Sequence, residues 1–166
     1  MKVIRESSRD ISRYLVYKSA FYGDTITNLK LQKLLYYVYV WYLVLHKKNA
    51  FSEKFQAWPI GPVLPSVYKY LSEYKADPID PDYSGVSSEA GLKELENQLG
   101  QDLVDTIGKV FDAYGSKTAF ELVNMTHDEF PWKHAREGLD VYEKTSKEIT
   151  DEDIISFYGE RVKKKK

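Results

Sequence analysis

One helix-length stretch limits what this chain can become. From Leu34 to Leu45 there is no charged residue, and Tyr36, Tyr37, Tyr39, Trp41 and Tyr42 crowd in beside leucines and valines. A helix that is apolar on every side has no face for water and must sit in the middle of a fold. The uncharged run is also too short to cross a bilayer, which takes about 20 residues. It therefore predicts a central core helix over Leu29–Leu45, with shorter helices wrapped around it.

The rest of the chain supplies those helices. Ile11, Tyr14, Leu15 and Ser19 follow helical spacing, with Ser7 or Ser8 as cap and Gly23 as the stop. Thr27 or Asn28 opens the core helix by accepting free amides of its first turn, and His46, Lys47 and Lys48 close it at the negative end of the dipole. Phe55 to Ile60 reads as a short extended piece. Pro59, Pro62 and Pro65 bar a central strand there, because proline has no amide hydrogen to give a ladder. Pro65 suits the first position of a third helix through Tyr74. Ala76 to Ser87 is an irregular loop.

Further helices are expected over Glu89–Leu99, over Asp102–Tyr114 with Gly115 as a left-handed stop, and from a Ser116 cap to Met125. Thr126-x-x-Glu129 looks like a capping box, and Pro131 restarts the chain into Trp132–Glu137. Thr150-x-x-Asp153 opens the last helix, with Ile149 and Ile154 as a hydrophobic staple. The expected fold class is all-α: a compact bundle of about seven helices around one hydrophobic helix, with a short extended segment near residues 55–60.

Length and composition narrow the class. With 166 residues the chain suits one domain, expected over 1–160 with a basic tail over 161–166. A chain of this size buries roughly 70% of its unfolded surface and needs no staples. There is no cysteine, which removes disulfides, thiolate metal sites and cysteine nucleophiles together. Met1 to Ser19 is charged and amphipathic, without the apolar core of a secretory signal, so a cytoplasmic location is expected. The formal charge is −1, and −5 without the four closing lysines. An acidic body argues against a nucleic-acid footprint across a whole face.

The chain also resembles a known family. Asn28-Leu29-Lys30-Leu31-Gln32-Lys33-Leu34-Leu35-Tyr36-Tyr37, then Ala57-Trp58, Gly61-Pro62-Val63 and Val67-Tyr68, look like the Panacea domain, the SocA-type antitoxin domain also described as phage-associated GepA-like. Thr126-His127 and Trp132 match a second motif, and the likeness runs from Ile11 to Phe157. The resemblance implies an all-α antitoxin that binds and neutralises a cognate protein toxin. Some members of the family resemble adaptors that deliver a toxin to a protease, which would add a protease component as partner.

No reaction centre stands out. His127 and His134 are seven apart and invite a metal reading, but Pro131 interrupts any shared helix and the step is not that of helical zinc pairs. His127 is expected to bond backbone at a helix start, and His134 to lie on the surface. Asp80-x-Asp82-x-Ser84-Gly85 opens like an EF-hand loop, yet Gly91 stands where a bidentate Glu should close it, so a turn is expected. Carboxylates are scattered, and phosphate-cradling or nucleophile motifs are missing. Neither cofactor nor metal is expected.

Binding has better candidates. Lys30 and Lys33 sit three apart at the head of the core helix. They form either a polar lip of an interaction groove or an exposed first turn. A cation there costs about 0.3–1 kcal/mol against the helix dipole, which favours a role or a local carboxylate partner. Trp58, braced by Pro59, Gly61 and Pro62, is either an interface anchor or a core plug against Tyr36 or Tyr37. Tyrosine is enriched at interfaces, and there are 14.

The expected function is therefore stoichiometric neutralisation of a toxin, with Lys30, Lys33, Tyr37, Trp58 and Tyr68 as partner-binding residues and no catalysis. The alternatives are a proteolytic adaptor for a cytoplasmic AAA+ protease and a nucleic-acid-binding regulator.

Overall fold

The computed structural model describes residues 7–164; Met1–Glu6 and the end of the predicted lysine tail, Lys165 and Lys166, lie outside the described residues. Among them are eight α-helices and one small hairpin. In order these are α1 Ser7–Phe21, α2 Asn28–His46, β1 Gln56–Trp58, β2 Gly61–Val63, α3 Pro65–Tyr70, α4 Glu89–Leu99, α5 Gln101–Tyr114, α6 Ala119–His127, α7 Phe130–Ala135 and α8 Asp151–Lys164.

The all-α expectation holds, and α2 is the rod at the centre. Every residue from Leu31 to Val40 is buried, and α1, α3, α5, α6, α8 and β2 all pack on it. Thr27 caps it by accepting the Lys30 amide, as the sequence suggests. Its other end closes on Lys47 in the left-handed region, φ 58°, whose amide bonds the Leu43 carbonyl. No described helix is long and apolar enough to cross a membrane.

Polar ties fix the rod's neighbours. Asp151, the first residue of α8, accepts from Tyr39 Oη at 2.6 Å and from Lys54 Nζ and Asn49 Nδ2 at 2.9 Å. Burial pushes the Tyr39 phenol up to about 12, and the neighbouring Asp151 carboxylate adds to the shift. A carboxylate at a helix N-terminus is favoured by the helix dipole. Ile149 and Ile154 are both buried, as a staple requires.

Several local expectations are corrected. Gly115 is right-handed, φ −62°, because α5 turns over directly into Lys117 N–H bonding the Tyr114 carbonyl. The cap of α6 is Thr118 rather than Ser116, and the true capping box is Thr118 with Glu121. Thr126 lies inside α6 and donates to the Val123 carbonyl, while Glu129 turns into the core, so that pair is not a capping box. The helix opened by Pro65 stops at Tyr70 and continues as a 3₁₀ turn over Ser72–Tyr74. The loop after it holds a second 3₁₀ turn, Pro81–Ser84, capped by Asp80, with Arg13 Nε on the Ser84 carbonyl. Asp153 takes only half of its box: its amide bonds Thr150, but its carboxylate goes to His134.

Candidate partner-binding face

The hairpin pairs Gln56 with Val63, Ala57 with Pro62 and Trp58 with Gly61, leaving Pro59 and Ile60 at the tip. A proline-rich, two-stranded hairpin is short of partners for its own backbone, and the polar head of α2 supplies them. Lys33 Nζ donates to the Pro62 carbonyl at 2.9 Å. The Leu64 amide donates to Gln32 Oε1 at 2.9 Å, Gln32 Nε2 donates to Asn28 Oδ1, and Asn28 Nδ2 donates to the Tyr68 carbonyl. Buried polar side chains are tolerated in a core helix when they satisfy buried backbone.

Gly61 is required by this arrangement. It holds φ +99°, and a Cβ there would lie 2.7 Å from Lys33 Cε and 2.9 Å from Thr126 Oγ1. No larger residue fits without moving the lysine.

The corner between α6 and α7 grips the hairpin from the other side. Trp132 Nε1 donates to the Trp58 carbonyl at 2.9 Å, and Arg136 Nη1 to the Ala57 carbonyl at 2.7 Å. His127 stacks on Trp132 with centroids 4.0 Å apart. Burial lowers the His127 imidazole below its ordinary value despite the nearby Pro59 carbonyl, and its Nε2 has no hydrogen-bond partner among the described residues. It stands at the end of α6, not at a helix start. His134 is on the surface, with Nδ1 2.6 Å from Asp153 Oδ2, so the two histidines serve different contacts.

Clamped from both sides, the hairpin shows solvent one aromatic ledge. Trp58 is partly buried, its Nε1 held by Gln56 Oε1 at 2.9 Å and its ring set edge-on to Tyr68 at 5.1 Å. Ile60 projects from the tip. The ledge sets an aromatic pair beside an exposed isoleucine, the makeup of an interface anchor.

The five residues expected at the partner surface separate here. Trp58 and Tyr68 come together on the ledge. Lys30 is partly buried, and its Nζ donates to the Gly115 carbonyl at 2.7 Å, so the partner it finds is the end of α5 rather than a carboxylate. Lys33 and Tyr37 are fully buried, so neither reaches a partner: Lys33 is no polar lip but holds the hairpin from below through Pro62, and Tyr37 points into the core toward Glu129. Ile60, Trp132 and Arg136 complete the assembly. Trp132 had a motif to mark it, whereas nothing local in the sequence marks Arg136.

The buried lysine has a measurable signature. Burial lowers Lys33 to about 7, against 10.5 in the open chain. Between those values the unfolded chain holds a proton that the folded chain has released. Stability is thus fully present above 10.5 and is lost as pH falls toward 7, by about 1.4 kcal/mol per pH unit. We expect the wild type to gain about 2 kcal/mol on a Lys33→Met variant between pH 7 and pH 9 in paired urea titrations. A pH-independent difference would contradict the burial of this amine.

A second buried knot lies deeper. Glu129 Oε1 accepts from Tyr37 and Tyr158, each at 2.7 Å, and Oε2 from Arg161 at 3.2 Å. Tyr37 stacks on Tyr114 at 4.2 Å, and Tyr36 Oη lies 3.2 Å from Tyr158 Oη. Burial raises the Glu129 carboxyl above its ordinary value despite three donors, and raises all three core tyrosines well above theirs.

The family description "Antitoxin SocA-like, Panacea domain" matches residues 31–133, which include α2 from Leu31 onward, the hairpin, α6 and the start of α7. Antitoxin SocA of Caulobacter vibrioides (strain NA1000 / CB15N) is 31% identical over 128 residues, covering 72% of this chain and 64% of that protein. The chain thus spans a little under two thirds of that relative's length. No solved structure matches.

Proposed function

This chain belongs to the Panacea-domain family of SocA-like antitoxins, and from that membership we propose that it neutralises a protein toxin encoded beside it through direct contact at the Trp58–Ile60–Tyr68 ledge. The observation that carries the reading is the double clamp on the hairpin. Lys33, Trp132 and Arg136 hold the carbonyls of Pro62, Trp58 and Ala57, and Trp58 stays partly exposed with its ring against Tyr68.

A surface fixed before binding loses little conformational entropy when a partner arrives, so more of the contact energy appears as affinity. The action is stoichiometric and uses no chemistry of its own. The setting is the cytoplasm, where a newly made toxin can be met at once.

Expression of the neighbouring reading frame alone should arrest growth, and co-expression of this chain should restore it, with the two proteins co-purifying as a complex. A harmless neighbour, or rescue without a complex, would remove the basis of the reading. Faster loss of the neighbour's product in the presence of a purified AAA+ protease would favour delivery for degradation over masking.

A further inference from the structure

The loop between α7 and α8 carries two large apolar side chains into solvent. Val141 is 74% and Tyr142 87% exposed. The loop is nevertheless held firmly. Arg136 is buried, and while one arm of its guanidinium holds Ala57, Nη2 donates to the carbonyls of Asp140 at 2.7 Å and Glu143 at 2.9 Å. The Asp140 amide donates to Glu143 Oε1 at 3.2 Å. A fixed loop that displays a tyrosine is a knob in search of a hole.

A hole of the right chemistry exists on the same chain. Phe130, Ser156, Phe157, Glu160 and Arg161 line a hollow of ≈ 450 Å³. Arg161 lies over the Phe157 ring at 4.7 Å and remains 47% exposed while bonding Glu129. The knob is flanked by exposed Glu137, Asp140 and Glu143, with Lys144 the one opposing charge among residues 137–144. The hollow has Arg161 and Lys163 beside Glu160.

The two features cannot meet within one molecule. Phe130 lies by Phe157 and Arg161, whereas His134 lies by Asp153, so α7 and α8 run antiparallel. The hollow is then at one end of the pair and the connecting loop at the other.

We infer that the chain pairs with a second copy of itself, the two α7–α8 layers side by side in opposite directions, each Val141–Tyr142 knob seated in the other's Phe130–Phe157–Arg161 hollow. A twofold axis passing near His134 and Asp153 makes both contacts at once, and such a self-complementary contact closes as a dimer. Acidic loop then faces basic helix end, so the pairing weakens with salt.

Sedimentation equilibrium of the purified chain, with no other component, tests this. The wild type is expected to dimerise in the micromolar range. Tyr142→Ala and Phe130→Ser, both at exposed positions, should each weaken the dimer at least about tenfold while keeping the wild-type circular dichroism spectrum. Mixing the two variants should restore a heterodimer, because one intact knob then meets one intact hollow. A wild type that stays monomeric at several hundred micromolar overturns the inference, as does a Tyr142→Ala dimer of wild-type strength or a mixture no tighter than its components.

Discussion

Replacing Glu129 by alanine is expected to remove about 3–5 kcal/mol of folding stability, among the largest losses any single change in this chain should produce. The carboxylate accepts from two core phenols, Tyr37 on α2 and Tyr158 on α8, and from the Arg161 guanidinium. Without it, the Tyr37 hydroxyl loses its partner, Tyr158 keeps only Tyr36, a cation loses its counter-charge, and a cavity opens where the side chain was. A buried donor left unpaired costs about 1–3 kcal/mol by itself, so the terms reach the quoted range without a dominant one. For a domain of this size the unfolding midpoint should fall by roughly 10 °C.

Glu129→Gln retains a carbonyl for the phenols and should lose markedly less. Burial already disfavours the charged form of this carboxyl, so neutralising it costs less than deleting it. Urea denaturation of the two variants decides the matter. Equal losses would mean that the charge, rather than the acceptor, holds the knot.

The rod was legible because its sequence admits no alternative: a helix with no wet side can only be central. Its ends were legible for local reasons, since Thr27 is a good cap and His46 and Lys47 suit the closing turn. Which residues face what was not legible. Uniform apolarity gives the helical period nothing to mark, so Lys33 and Tyr37 carry no sign that they point inward. Their partners, Pro62 and Glu129, lie 29 and 92 residues away. The same distance hid Arg136, whose acceptor on β1 is 79 residues back.

Local rules failed where two candidates competed. Ser116 and Thr118 can both cap a helix, and the choice fell to Thr118 because Glu121 completes its box. The motif Thr126-x-x-Glu129 has the right letters for a cap, but Glu129 serves the tyrosines. At the candidate site, Trp58 is partly exposed and packs on Tyr68 rather than on Tyr36 or Tyr37. Its backbone is held from beneath.

That geometry separates binding from folding, and Trp58→Ala exploits the separation. Among the described residues the indole makes one side-chain hydrogen bond, to Gln56, and one ring contact, to Tyr68, so its removal should cost about 1 kcal/mol of stability or less. As the anchor of an interface it should carry about 2 kcal/mol or more of affinity, roughly a thirtyfold weakening. The hairpin itself stays in place, because Lys33, Trp132 and Arg136 bond backbone rather than the indole.

Isothermal titration of the neighbour-encoded protein into wild type and Trp58→Ala, beside their thermal unfolding midpoints, is the most direct measurement. We expect saturable, stoichiometric binding to the wild type, a loss of thirtyfold or more in the variant, and nearly unchanged midpoints. Equal affinity for both proteins would place the contact elsewhere and contradict the ledge.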